Sequence, residues 1–280
     1  MSTGKGRVTG AGVNPTVVLC VASLLLFYGS LTLFWSGEVG IAAAMAMNTV
    51  ALYSMYSVSH DAIHDIASGN RTINGLLGRV CAFHEGMTYP IFKVSHMMHH
   101  RYTNHPVMDP DYVIGRKPRV LFPLWVVVRL LHDNGYMIKT RLWRGKRKRL
   151  AEHLLTVVAQ VAFFAALAAL FGAGDALLLW IVPVAIAGAS VEMLVAWLVH
   201  YPQESQHKFE HTRLIRSRVL QVLMFNHNLH VVHHLWPRTP WYAYPQRVDE
   251  AERLLKDHAV RTAANARNTS TKTTRSGEPR

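Results

Sequence analysis

Four long apolar stretches, grouped in two close pairs, limit this chain more than any other feature of its sequence. They cover residues 16–35, 39–58, 154–171 and 176–199. Each is long enough, or nearly so, to cross about 30 Å of hydrocarbon as a helix. Only Ser36, Gly37 and Glu38 separate the first two, and only residues 172–175 separate the last two. Turns that short predict two helical hairpins and an all-α integral membrane protein with four transmembrane helices. A signal peptide is the competing reading of the first stretch, but the run is long and no small-x-small cleavage site clearly follows it.

The basic residues agree with this layout. Of 30 Lys and Arg, two precede the first stretch, fifteen lie in 59–153 and thirteen in 200–280. The two short turns hold none, only Glu38 and Asp175. Basic segments stay on the cytoplasmic side during insertion. We therefore expect both termini and the central connection in the cytoplasm, in an inner-membrane protein. The same sorting accounts for the net charge of +13 without nucleic acid as a partner.

The remaining segments fill in the domain organisation. Residues 1–12 read as a flexible lead-in, 13–258 as a single membrane domain and 259–280 as a disordered basic tail. Two interrupted apolar segments, 73–92 with Arg79, Glu85 and Pro90 and 120–131 with Pro123 and Arg129, read as interfacial or buried helices rather than spans. The basic run from Lys139 to Arg149 is expected at the lipid headgroups. Cys20 and Cys81 show no pairing pattern, which excludes a disulfide framework and a Cys-based zinc site.

Between the apolar stretches lie most of the 17 histidines. Three clusters stand out: His60 and His64; His96, His99 and His100; His230, His233 and His234. Residues at i, i+3 and i+4 share one helix face, so each cluster presents its imidazoles in one direction. Eight imidazoles converging at one side of a membrane would repel if protonated, and cations relieve that. One zinc ion normally takes four ligands, so eight nitrogens suit two metals. A site against the membrane points to an apolar substrate and to C–H oxidation, which needs a redox metal and O2 as co-substrate. Of the metals imidazole accepts, iron fits best. His84, His105, His132, His153 and His258 read as structural or surface groups. His207 and His211 have ligand-like spacing in a polar stretch.

These boxes resemble those of the membrane fatty acid desaturase and hydroxylase superfamily over roughly residues 45–255. The flanking HDAIH…NRTINGLLG, HMMHH…DPD, KTRLWR and NHNLHVVHHLWPRTPWY are most similar to β-carotene hydroxylases of the cyanobacterial type. The resemblance implies a helical cap holding a His-rich di-iron site on the cytoplasmic face. It implies a ninth ligand, His200, at the end of the fourth stretch. Acyl-CoA desaturases of the superfamily carry an Asn four residues earlier, where this chain has Ala196; Glu192 and His227 are the nearby substitutes. Asp61, Asp65, Asp109, Asp111, Asn226 and His227 are expected to orient the ligand imidazoles.

The expected reaction is oxidation of an aliphatic C–H bond of a lipid-like substrate, best matched by ring hydroxylation of β-carotene. Desaturation or hydroxylation of an acyl chain is the alternative, and a His-rich metal transporter the remote one. No dinucleotide fingerprint, Cys cluster or haem domain is present, so electrons must come from outside. A ferredoxin-type donor would suit the basic face.

Overall fold

In the computed structural model, residues 14–116, 124–141 and 143–275 are described. The lead-in 1–12 and part of the segment 120–131 lie outside them. Four helices are long and apolar enough to cross a membrane: α1 (Pro15–Trp35), α2 (Ile41–Ile63), α6 (Arg147–Phe171) and α7 (Ala173–His200). All four expected stretches are therefore helical, and three of them extend past their apolar limits. α2 runs on through His60, with His64 as its C-cap. α6 begins within the basic run, at Arg147.

Helix ends follow local chemistry. The Asn14 side chain caps α1 by accepting from the Thr16 amide, and Pro15 takes the first helical position, where its missing N–H costs nothing. Gly172, at φ 88°, makes the turn between α6 and α7, a conformation that favours glycine. α7 is not regular: residues Leu177–Ile181 and Glu192–Trp197 form π-helical turns.

The segment 73–92 forms a helical hairpin rather than a span, with Ile73 and Leu76 on its exposed face. α3 (Arg71–His84) packs along α2, and α4 (Tyr89–Tyr102) returns carrying the second histidine cluster. The turn between them needs partners for its carbonyls in apolar surroundings. Gln160 donates to the Phe83 and Met87 carbonyls, and the Trp180 indole N–H to that of His84. Gly78 lets α3 close on its neighbours: a Cβ there would lie 2.3 Å from Tyr89 Cε2 and 2.7 Å from Ala62 Cβ. Tyr89 and Asn74 both donate to the Ala62 carbonyl, which fixes the end of α2.

The polar residues of the spans are tied into the bundle. Asn48 donates to the Leu179 carbonyl in the π turn of α7 and accepts from Ser30. The two cysteines, unpaired by any sequence pattern, meet across α1 and α3 with their sulfurs 3.6 Å apart as free thiols. Separation along the chain hides a contact that helix docking creates.

Beyond α5 (Trp125–Lys139) and the spans come α8 (Arg218–Leu223), α9 (His230–Leu235) and α10 (Val248–Arg275). The helix of α10 runs to Arg275.

Candidate metal centre

α2 and α7 end on the same side of the bundle, away from the two short turns, and so deliver His60, His64 and His200 to one level. The α3–α4 hairpin brings His96, His99 and His100 there. The third cluster arrives on α9, whose residues Val231 and Val232 are buried together with Tyr244 and Val248.

The imidazoles sort into two groups. His60, His64, His96 and His233 form one, and His99, His200, His230 and His234 the other; within each group the nitrogens lie within 4.8 Å of one another. His100 stands between them. Its Nε2 is 2.7 Å from that of His233 and 3.0 Å from that of His96, and its ring centroid is 4.4 Å from that of His234.

These contacts do not close as a hydrogen-bonded network. The Nε2 atom of His96 faces those of His64, His100 and His233 at 2.9, 3.0 and 3.4 Å. A neutral imidazole has one N–H, so most of these approaches set lone pair against lone pair. Both nitrogens of His60, and Nδ1 of His200, His230 and His234, are buried without a partner among the described residues. Burial, reinforced by neighbouring imidazoles, holds His96, His100, His230, His233 and His234 well below the usual imidazole pKa. Burial pushes His64 down to about 3. Neutral rings with free lone pairs in two adjacent groups fit two cations.

Three groups orient the rings from outside. Asp109 Oδ1 accepts from His99 Nδ1 at 2.9 Å, and Asp111 Oδ2 lies 3.5 Å from the same nitrogen. Burial works against charge on His99, but Asp109 and Asp111 outweigh it and raise its pKa. The Tyr244 hydroxyl lies 3.0 Å from His233 Nδ1. Sequence reasoning missed Tyr244, eleven residues beyond a box and marked by no motif. His211 is buried with its ring 4.7 Å from that of His234.

The other expected orienting residues sit elsewhere. Asp61 accepts from the Thr16 hydroxyl and the Trp241 amide, so it ties α2 to α1 and to the segment after α9. Asp65 pairs with Lys93 at the surface. Asn226 adopts a left-handed turn and donates to the Trp241 carbonyl. On a helix, neighbouring residues point about 100° apart, so an acid adjacent to a ligand faces away from it. His227 packs its ring 5.1 Å from that of His60 and contacts the Ser57 hydroxyl. Glu192 faces Arg129 rather than an imidazole.

Two cavities reach the site. The larger, about 300 Å³, runs between the hairpin turn, α6 and α7 and ends at His96. Its walls are mainly apolar: Leu52, Tyr56, Ile91, Phe92, Val184 and Val191. Its polar side is Arg129, which pairs with Asp111 at 2.6 Å and Asp133 at 2.9 Å and approaches Glu192 at 3.6 Å. The smaller, about 60 Å³, lies beside His99 and His200 and is lined by Ala196 and Glu204.

A sequence profile described as fatty acid desaturase matches residues 17–265. Curated relatives include a zeaxanthin 4-ketolase of Chlamydomonas reinhardtii, 24% identical over 86% of this chain and 54% of the relative. A beta-carotene 4-ketolase 3 of Haematococcus lacustris is 27% identical over 73% of this chain and 61% of its own length. A beta-carotene ketolase of Paracoccus sp. (strain PC1) is 24% identical over 85% of this chain and 92% of its own. The chain thus spans about half the length of the Chlamydomonas relative. These relatives are ketolases, whereas the box-flanking residues resembled hydroxylases. One set of metal ligands serves both outcomes, so the boxes do not separate them.

Proposed function

The chain belongs to the fatty acid desaturase family, and we propose that it oxidises a ring carbon of a carotenoid to a ketone with O2. The observation that carries this reading is the apolar cavity that ends at His96 within the membrane bundle. At about 300 Å³ it sits at the small end of ligand sites, suited to one ring end group with the polyene left among the lipids. The ketolase relatives support carbonyl formation over hydroxylation.

The nine histidines His60, His64, His96, His99, His100, His200, His230, His233 and His234 would hold two iron ions, which supply O2 activation when bound. Turning a ring CH2 into C=O consumes two O2, four electrons and four protons and releases three waters. Phe92, Ile91 and Tyr56 would hold the ring and exclude water, so that the carbon to be oxidised rests beside His96. An external ferredoxin-type donor at the basic face would supply the electrons, and the charge pattern supports a cytoplasmic position for that face.

The test is product analysis. Membranes containing the protein, supplied with β-carotene, reduced ferredoxin and O2, should yield ketone with one ¹⁸O per new carbonyl when analysed promptly after ¹⁸O2 labelling. Hydroxylated product alone would favour the hydroxylase reading, and desaturated lipid with unchanged carotenoid would favour acyl-chain chemistry.

A further inference from the structure

A third group of metal-ligating side chains lies outside the candidate metal centre. His207 and Glu210 belong to the connection between α7 and α8, and His258 belongs to α10. A ligand atom from each lies within 4.8 Å of the other two. The His207 and His258 rings stack with centroids 4.2 Å apart and planes 13° from parallel. His258 Nε2 is 2.8 Å from Glu210 Oε1. The other carboxylate oxygen of Glu210 accepts from the Ser205 hydroxyl at 2.8 Å, which fixes the carboxylate. The His258 and Glu210 side chains are 21% and 45% exposed, so solvent reaches the group.

We propose that His207, Glu210 and His258 form a surface site for a divalent transition-metal ion of the zinc class, which clamps α10 to the connection after α7. Two imidazoles and a carboxylate are a donor set that zinc accepts, with a water completing four-coordination. Zinc–ligand bonds of about 2.0–2.2 Å require the three atoms to close by roughly 1 Å and the two rings to turn out of their stack so that both lone pairs meet one ion, movements open to exposed side chains. The cation would take the place of the direct contact between His258 Nε2 and Glu210 Oε1, and Ser205 would keep orienting the carboxylate.

The position gives the clamp a purpose. The clamped connection carries His211, whose ring rests on His234. Asn104, just beyond α4, donates to the Ser205 and His211 carbonyls of the same connection. An ion at His207, Glu210 and His258 would therefore pin α10 to the segment that backs one wall of the histidine cluster.

Zinc chloride titrated into the purified full-length, iron-loaded protein in detergent tests this. Calorimetry should show one zinc per chain, with affinity reduced at least tenfold in His258→Ala and in His207→Ala. Elemental analysis after dialysis should show zinc added to an unchanged iron content, and amide exchange across 248–262 should slow with zinc in the wild type only. Absence of zinc binding, zinc that merely displaces iron, or wild-type zinc affinity in either variant would overturn the proposal.

Discussion

Asp109 is locked around the proton it accepts from His99. Its Oδ1 lies 2.9 Å from His99 Nδ1 and also accepts from the Asp111 amide, while Oδ2 accepts from the Asn104 amide at 2.7 Å. In Asp109→Asn the new NH2 must face either an imidazole N–H or a backbone N–H. We expect iron affinity to fall about 10–100-fold, read as iron per chain after dialysis against a chelator. Retention of the wild-type iron content would show that Asp109 does not orient a ligand.

Tyr244 allows a gentler version of the same experiment. It is fully buried, and its hydroxyl meets His233 Nδ1. Tyr244→Phe keeps the ring packing and removes one hydrogen bond, worth about 1 kcal/mol. A loss of iron affinity of about tenfold is expected, with little change in melting temperature of the metal-free protein.

Filling the larger cavity should separate substrate binding from metal binding. Val191 lines it on α7. Val191→Phe should lower ketone formation by about tenfold or more, because an extra ring occupies space meant for substrate. Iron content should match the wild type; a parallel loss of iron would instead assign Val191 to the scaffold of the centre.

Arg129 pairs with Asp111 and Asp133 and approaches Glu192, and those charges hold its pKa well above normal despite the opposing effect of burial. Arg129→Met removes the cation and leaves the acids buried. Breaking a buried pair from one side costs about 3–5 kcal/mol. Thermal unfolding in detergent should show it, and a melting temperature within a degree of wild type would refute the assignment.

Gly78 tests helix packing alone. A methyl group there would overlap Tyr89 and Ala62. Gly78→Ala should destabilise by about 1–3 kcal/mol, whereas Gly69→Ala, with open space around it, should not.

Hydropathy located all four span helices, because a bilayer demands length and apolarity that any reader of the sequence can count. The histidine clusters were equally legible, since helical spacing alone puts His96, His99 and His100 on one face. Other features were invisible for a geometric reason. Tyr244, Arg129 and the Cys20–Cys81 contact depend on how helices dock over separations of many residues. Asp61 and Asp65 adjoin His60 and His64 in sequence, but their carboxylates bond Thr16, Trp241 and Lys93. The hydroxylase resemblance lay in residues that flank the boxes, whereas the relatives the chain matches are ketolases.

α6 has only 6% of its apolar window buried inside the protein, yet its residues Val157 and Gln160 line the larger cavity. One wall of that chamber is therefore braced chiefly by whatever surrounds the protein. Turnover measured in detergent and in bilayers of different chain length is therefore expected to differ, because the solvent around α6 changes while the other walls do not.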